Sequence, residues 1–139
     1  MTPVVEFYSP GTMPPTQRYS QIAHVKGGEL LYFSGQVALN AKGELVGADY
    51  ATQLEQIFRN IELGLKAAGA SLEPYQAQFF RVQRRTDGRC PLVDVLASHF
   101  AIRDKYINLE KPPASAFVFV SRLFRAEWLL EVESVAVKP

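Results

Sequence analysis

The chain has 139 residues, enough for one two-layer domain, and with 47% apolar and 21% charged residues it has the composition of a folded globular protein, not a disordered one. A net charge of +1 gives no general affinity for nucleic acid or a membrane surface. The single cysteine, Cys90, excludes an intrachain disulfide or thiolate zinc cluster, and with no secretory pattern and no apolar run near the ~20 residues of a spanning helix, the expectation is a single cytoplasmic domain.

In chain order, a proline-rich opening holds a short strand at Val4–Tyr8. "IAHVK-GG-ELLYF" then reads as a hairpin, with Gly27 and Gly28 supplying the positive φ angles of a tight turn. In "SGQVALNAKGELVG", Gly35 interrupts the strand and "NAKGE" makes a further turn. Asp49 is placed to cap a helix over about Tyr50–Ala68, where Leu54, Ile57, Phe58, Ile61, Leu65 and Ala68 recur at helical spacing. Gly69 then sits at the left-handed C-terminal position.

"YQAQFFRVQ" reads as a strand. Pro91 opens a second helix to about Tyr106, with Leu92, Val95, Leu96, His99, Ile102 and Tyr106 facing inward. "ASAFVFVSRL" and "WLLEVESVAV" make two closing strands. The order β-β-β-α-β-α-β-β predicts an α+β sandwich with a mixed sheet and two helices on one face. Read by alternation, the other face carries Phe117, Phe119, Leu129 and Val135. That face is too apolar for water, so an oligomer is expected.

Several residues are suited to chemistry, each with a plainer reading beside it. Glu131 and Glu133 lie two apart on one strand and so about 7 Å apart on one face. A carboxylate set among apolar neighbours suits general acid–base work, but an edge strand or an ion pair explains the same pattern. Tyr19 and Ser20 put hydroxyls at a loop-to-strand boundary, for a ligand or simply for packing. Ser34 and Gly35 fit an anion-binding backbone or a bulge.

Arg81, Arg84, Arg85 and Arg89 crowd "RVQRRTDGR", either a solvated turn or an anion site. With no second basic segment and no aromatic platform, nucleic acid is not expected. His24 and His99 lack partners at metal-ligand spacing, and no phosphate loop or dinucleotide fingerprint occurs. No metal or cofactor is predicted.

The pieces taken in order resemble the RidA family, also called YjgF or L-PSP endoribonuclease-like. They are "YSQ" at 19–21, "LLYFSGQVAL" at 30–39, "KGELVG" at 42–47, "QIFRNIELGLKAAGASLE" at 56–73, "KPPAS" and "LLEVESVAV". The resemblance implies a chorismate-mutase-like fold assembled as a homotrimer, with small-molecule clefts between subunits. It implies hydrolysis of reactive imines or enamines to ammonia and a 2-keto acid.

It also implies site roles. Glu133 would position the attacking water, and Tyr19 with Ser34, Gly35 and Gln36 would line the cleft. The family's carboxylate-binding arginine is replaced by Ser115, and its small or thiol residue two places on by Phe117. A serine hydroxyl cannot reproduce a bidentate guanidinium contact. Arg81, Arg84 or Arg122 would then have to supply the charge, or the ligand would lack a carboxylate. A binding protein without turnover and a ribonuclease are the alternatives.

Overall fold

A computed structural model describes residues 4–72, 75–83 and 92–139, with only the backbone described for 75–83 and 92–94. Its elements are β1 (Val5–Tyr8), β2 (Ile22–Val25), β3 (Glu29–Gln36), α1 (Tyr50–Ala67), β4 (Tyr75–Gln83), α2 (Leu92–Arg103), β5 (Ala114–Val120) and β6 (Leu130–Lys138). This is the element order read from the sequence. β1 and β2 form a small antiparallel ribbon. The main sheet runs β3-β6-β4-β5, antiparallel except for the parallel β4–β5 pair. Among the described residues, no helix is long and apolar enough to cross a membrane.

α1 is specified locally at both ends. The Asp49 carboxylate accepts from the Thr52 backbone N–H (2.9 Å) and hydroxyl (2.7 Å), and these bonds hold its carboxyl below the usual range. At the other end Gly69 has φ +72°, the Gly69 N–H donates to Lys66 O and the Ala70 N–H to Leu65 O. This paired closure satisfies the last carbonyls. Replacing Asp49 with alanine is expected to lower stability by about 1 kcal/mol, with the far-UV spectrum unchanged; a chemical denaturation curve identical to wild type would refute the capping role.

The helix buries Leu54, Ile57, Phe58, Ile61 and Leu65 completely, against Leu130, Val132 and Ala136 of β6 and Leu31 and Phe33 of β3. A Cβ on Gly64 would stand 2.5 Å from the Phe33 ring, so the glycine permits this close approach of helix to strand. Two polar side chains on the same helix fix the loops around it. Gln53, almost fully buried, donates to Gly47 O and Glu127 O and accepts from the Leu129 N–H. Asn60 donates to Leu39 O at 2.8 Å, tying the segment after β3 to α1. Burying an amide with these partners satisfied costs little, whereas leaving them unmet costs about 1–3 kcal/mol per group.

Three expectations need correction. The hairpin across Gly27 and Gly28 does not pair as one: β2 pairs with β1, and β3 pairs with β6. Gly28 still turns the chain at φ +89°, but a Cβ there would lie 2.5 Å from Lys138 O, so the turn delivers β3 onto the end of β6. The nine-residue β6 offers eight-residue β3 a longer ladder than four-residue β2 could.

The second helix ends at Arg103. Its last turn tightens, with Lys105 N–H donating to Ile102 O and Tyr106 N–H to Arg103 O, so Tyr106 lies beyond it. Pro91 lies outside the described residues.

The third correction concerns the faces of the sheet. Across the ladder Phe117 pairs through Phe80 with Val132, and Phe119 through Val82 with Leu130, whose side chains are core. Phe117 and Phe119 therefore belong to the helix-covered face, and Phe117 packs on the core. Leu129 precedes β6 and packs there too. The opposite face carries Glu131, Glu133 and Val135 beside Ala114, Ala116, Val118 and Tyr32. It is less aromatic than alternation suggested, because both alternating sets of β5 are apolar and only the register separates them.

Candidate ligand cleft

A cleft of about 630 Å³ opens over the uncovered face. One wall is the 19–21 segment. Ser20 pins this segment to the start of β5: its hydroxyl donates to Pro112 O (2.7 Å), its N–H to Pro113 O, and it bridges Ala114 in parallel. The prolines cannot continue the preceding helical turns, and they leave carbonyls that a neighbouring chain can use. Gln21 is held by its N–H donating to Ser9 Oγ and its amide donating to Pro14 O. Tyr19 is thereby presented at the rim, and Tyr32, 75% exposed, forms the facing wall.

Glu133 and Val135 of β6, with Ala114 and Ala116 of β5, supply the floor between these walls. Glu133 and Ala116 are register partners of the same residue of β4, two strand spacings and so about 10 Å apart. Among the described lining residues Glu133 is the sole charged side chain, and Tyr19 and Tyr32 bring hydroxyls to the same cleft.

The sequence-derived candidates separate clearly. Tyr19, Ser115 and Glu133 line this cleft. Ser115 also borders a second cleft, and its register partners Gln78 and Ser134 put it on the helix-covered face, opposite Glu133. Phe117 lines the second cleft and not the first. Ser34, Gly35 and Gln36 form the bulge where the β3–β6 register shifts, with the Gln36 amide donating to Ser34 O. They lie beside the cleft, and a Cβ on Gly35 would fall on the Glu131 carboxylate at 1.8 Å, so the glycine makes room for that acid.

Arg81 occupies a β4 position paired with Val118 and Glu131, but its side chain lies outside the described residues, as does all of Arg84, Arg85, Arg89 and Cys90. Arg122 donates to the carbonyl of its neighbour Leu123. Sequence reasoning missed Tyr32, whose signal was its outward place in the alternation of β3, and it missed Arg103.

The second cleft, on the helix side, holds an unusual pair. His99 is 3% exposed, hydrogen-bonded through Nδ1 to the Tyr50 hydroxyl at 3.0 Å, and edge-on to Phe117. Burial, helped by the nearby Arg103 charge, pushes the imidazole down to about 3, while burial pushes the Tyr50 phenol up. The folded ring therefore stays neutral as pH falls from 6.5 towards 3, while the unfolded ring takes up a proton. Stability attributable to His99 is present above about pH 6.5 and is lost as pH falls through that window, about 2 kcal/mol by pH 5. Denaturation at pH 7 and pH 5 should show wild type losing about that much more than His99→Gln; equal losses would contradict the buried neutral ring.

The family model described as endoribonuclease L-PSP matches residues 11–83. A RutC family protein of Pyrococcus horikoshii is 33% identical over 125 residues, covering 89% of this chain and 90% of its own. The chain belongs to the RidA/YjgF family. A second RutC family protein, of Saccharolobus solfataricus, is 34% identical over the same shares. The solved structure of YyfB, a Rid family protein of Yersinia pestis, superposes with a TM-score of 0.79 at 29% identity. It covers 97% of this chain and 99% of its own. The fold is accordingly the chorismate-mutase-like α+β fold of the RidA family, and the match reaches across α2 and the closing strands.

Proposed function

We propose that this RidA-family chain uses the Glu133 cleft to hydrolyse a small imine or enamine that lacks a carboxylate. The observation that carries the reading is the lining itself: one carboxylate, the Tyr19 and Tyr32 hydroxyls and no cation among the described residues. A guanidinium fork is what would hold a carboxylate substrate, and Ser115 stands where the family has that arginine. A neutral or protonated imine suits a lining whose one described charge is the Glu133 carboxylate.

In this chemistry Glu133 orients a water and accepts its proton as the oxygen adds to the C=N carbon. The resulting carbinolamine then collapses as the proton passes to nitrogen, so one water and one imine give one carbonyl compound and one ammonia or amine. Assembly as a homotrimer belongs to the same proposal: neighbouring subunits would close the open face, where Tyr32 and Val118 are exposed. The mass in solution should be three times that of the chain.

The test traps an imine, generated from a primary amine by an amine oxidase, with semicarbazide. Added protein should divert imine from semicarbazone to carbonyl product in proportion to its concentration. If no diversion occurs but a small neutral ligand raises the melting temperature, the alternative of a binding protein without turnover replaces this reading; that alternative is favoured by the missing arginine. The ribonuclease alternative depends on Arg81–Arg89, whose side chains lie outside the described residues.

A further inference from the structure

We propose that Arg18 is a positioning residue for the Glu133 cleft: its side chain latches the 17–19 segment to the end of α2 and so holds Tyr19 at the cleft rim. The inference rests on the reaction proposed above, since the place of Tyr19 matters to activity only if that cleft takes a substrate. Tyr19 lines both the Glu133 cleft and the helix-side cleft, and so stands as a wall between them. Where it stands depends on what fixes the chain on either side of it. On the far side Ser20 is pinned to Pro112, Pro113 and Ala114. On the near side the hold falls to Arg18.

The contacts of Arg18 are the first argument. Asp104 follows the last residue of α2, and its N–H still donates to Phe100 O, one helical turn back. Residues four apart share a helix face, so the Phe100 ring and the Asp104 carboxylate stand side by side. The Arg18 guanidinium meets both: its carbon lies 4.5 Å from the Phe100 centroid, and one of its N–H groups donates to Asp104. A planar guanidinium can lay its face on a ring while its edge donates to a carboxylate. The contact spans 86 residues of sequence and ties the N-terminal segment to the helix end.

The backbone is the second argument. Arg18 has φ +64°, and among the described residues it is the one non-glycine residue with a positive φ. The left-handed region crowds a Cβ, so glycine would be unstrained here, and another residue persists there only where its surroundings hold it. The Phe100 and Asp104 contacts supply that hold. As a device for global stability the ion pair is poor, because its side chains are 48% and 21% exposed and such pairs are screened by solvent and salt. Its consequence is local: with Ser20, it leaves Tyr19 between two fixed neighbours. Unlatched, the segment spreads over several conformations, and only the fraction with Tyr19 at the rim binds substrate fully.

The test has two arms on the full chain. The first places 3-fluorotyrosine at position 19 and compares wild type with Asp104→Asn, which removes the latch's anion, keeps its shape and lies far from Tyr19 in sequence. The fluorine resonance is expected to shift or broaden; a resonance identical to that of wild type overturns the latch. The second arm uses Arg18→Gly, which suits the left-handed backbone and lacks the side chain, in the semicarbazide assay at varied imine concentration. KM should rise by about three- to tenfold while kcat stays within about twofold. Tyr19→Ala should raise KM at least as far, and the double variant should be no worse than Tyr19→Ala alone, because Arg18 acts through that side chain. An unchanged KM in Arg18→Gly, or effects that add in the double variant, would overturn the positioning role. A resonance that moves in Asp104→Asn while wild type turns over no imine would uphold the latch and sink the reaction instead.

Discussion

Replacing Phe58 with alanine should cost about 3–5 kcal/mol, enough to take most of the stability of a domain this size. The ring is fully buried on the apolar stripe of α1 and stacks on Tyr106, with centroids 4.8 Å apart and planes 5° from parallel. Tyr106 is in turn held by its hydroxyl donating to Glu55, so its ring cannot follow a shrinking partner without breaking that bond. The cavity left behind therefore stays largely open, and the cost lies at the upper end of the range. Chemical denaturation monitored by circular dichroism measures it directly. A loss below about 1.5 kcal/mol would mean that the second helical segment collapses onto α1 more freely than this packing allows.

Glu133→Gln should reduce hydrolysis of a carboxylate-free imine by about 10²–10⁴-fold. The substitution keeps the shape of the side chain on the cleft floor but removes the group that accepts a proton from water. Glutamine can still hold a water by hydrogen bonds, so substrate affinity should change less than turnover. A variant that lost affinity and kept turnover would assign Glu133 to binding. Undiminished kcat in a correctly folded variant would remove it from the chemistry.

How legible these features were in sequence depended on the kind of signal each carried. α1 could be read to within a residue because three local signals agree: the Asp49 cap, the five-residue buried stripe and the Gly69 terminator. At Gly35 the sequence offered a bulge or an anion-binding backbone, and the register shift between Phe33 and Gln36 is the bulge. The order of elements followed from the same local signals.

Partnership was the part that sequence hid. Gly27 and Gly28 mark a turn but do not say which strand the chain then joins, and β3 joined the distant β6. In β5 the residues Ala116 and Val118 are as apolar as Phe117 and Phe119, so alternation alone could not choose the buried set. That choice, made by the pairing with β4, moved Phe117 from the floor beside Glu133 to the helix side.

Buried polar residues were invisible for a related reason. Gln53 and Arg103 sit at helical positions that look solvent-facing on any hydropathy scale, and the segments that bury them come from elsewhere in the chain. Gln53 meets the backbone of Glu127 and Leu129, and Arg103 sits beside an aspartate shared with Arg18. The Tyr19 and Glu133 placements, by contrast, came from ordered motifs at both ends of the chain, and the structure brings both to one cleft.

The most direct measurement compares two imines that differ only in a carboxylate, one from a primary amine and one from the matching amino acid, each generated by an oxidase and trapped with semicarbazide. The cleft as built, with Glu133 as its sole described charge, predicts that the protein accelerates loss of the carboxylate-free imine at least about tenfold more efficiently. Faster turnover of the carboxylated imine would contradict it, because a cation absent from the described lining would then have to be holding that group.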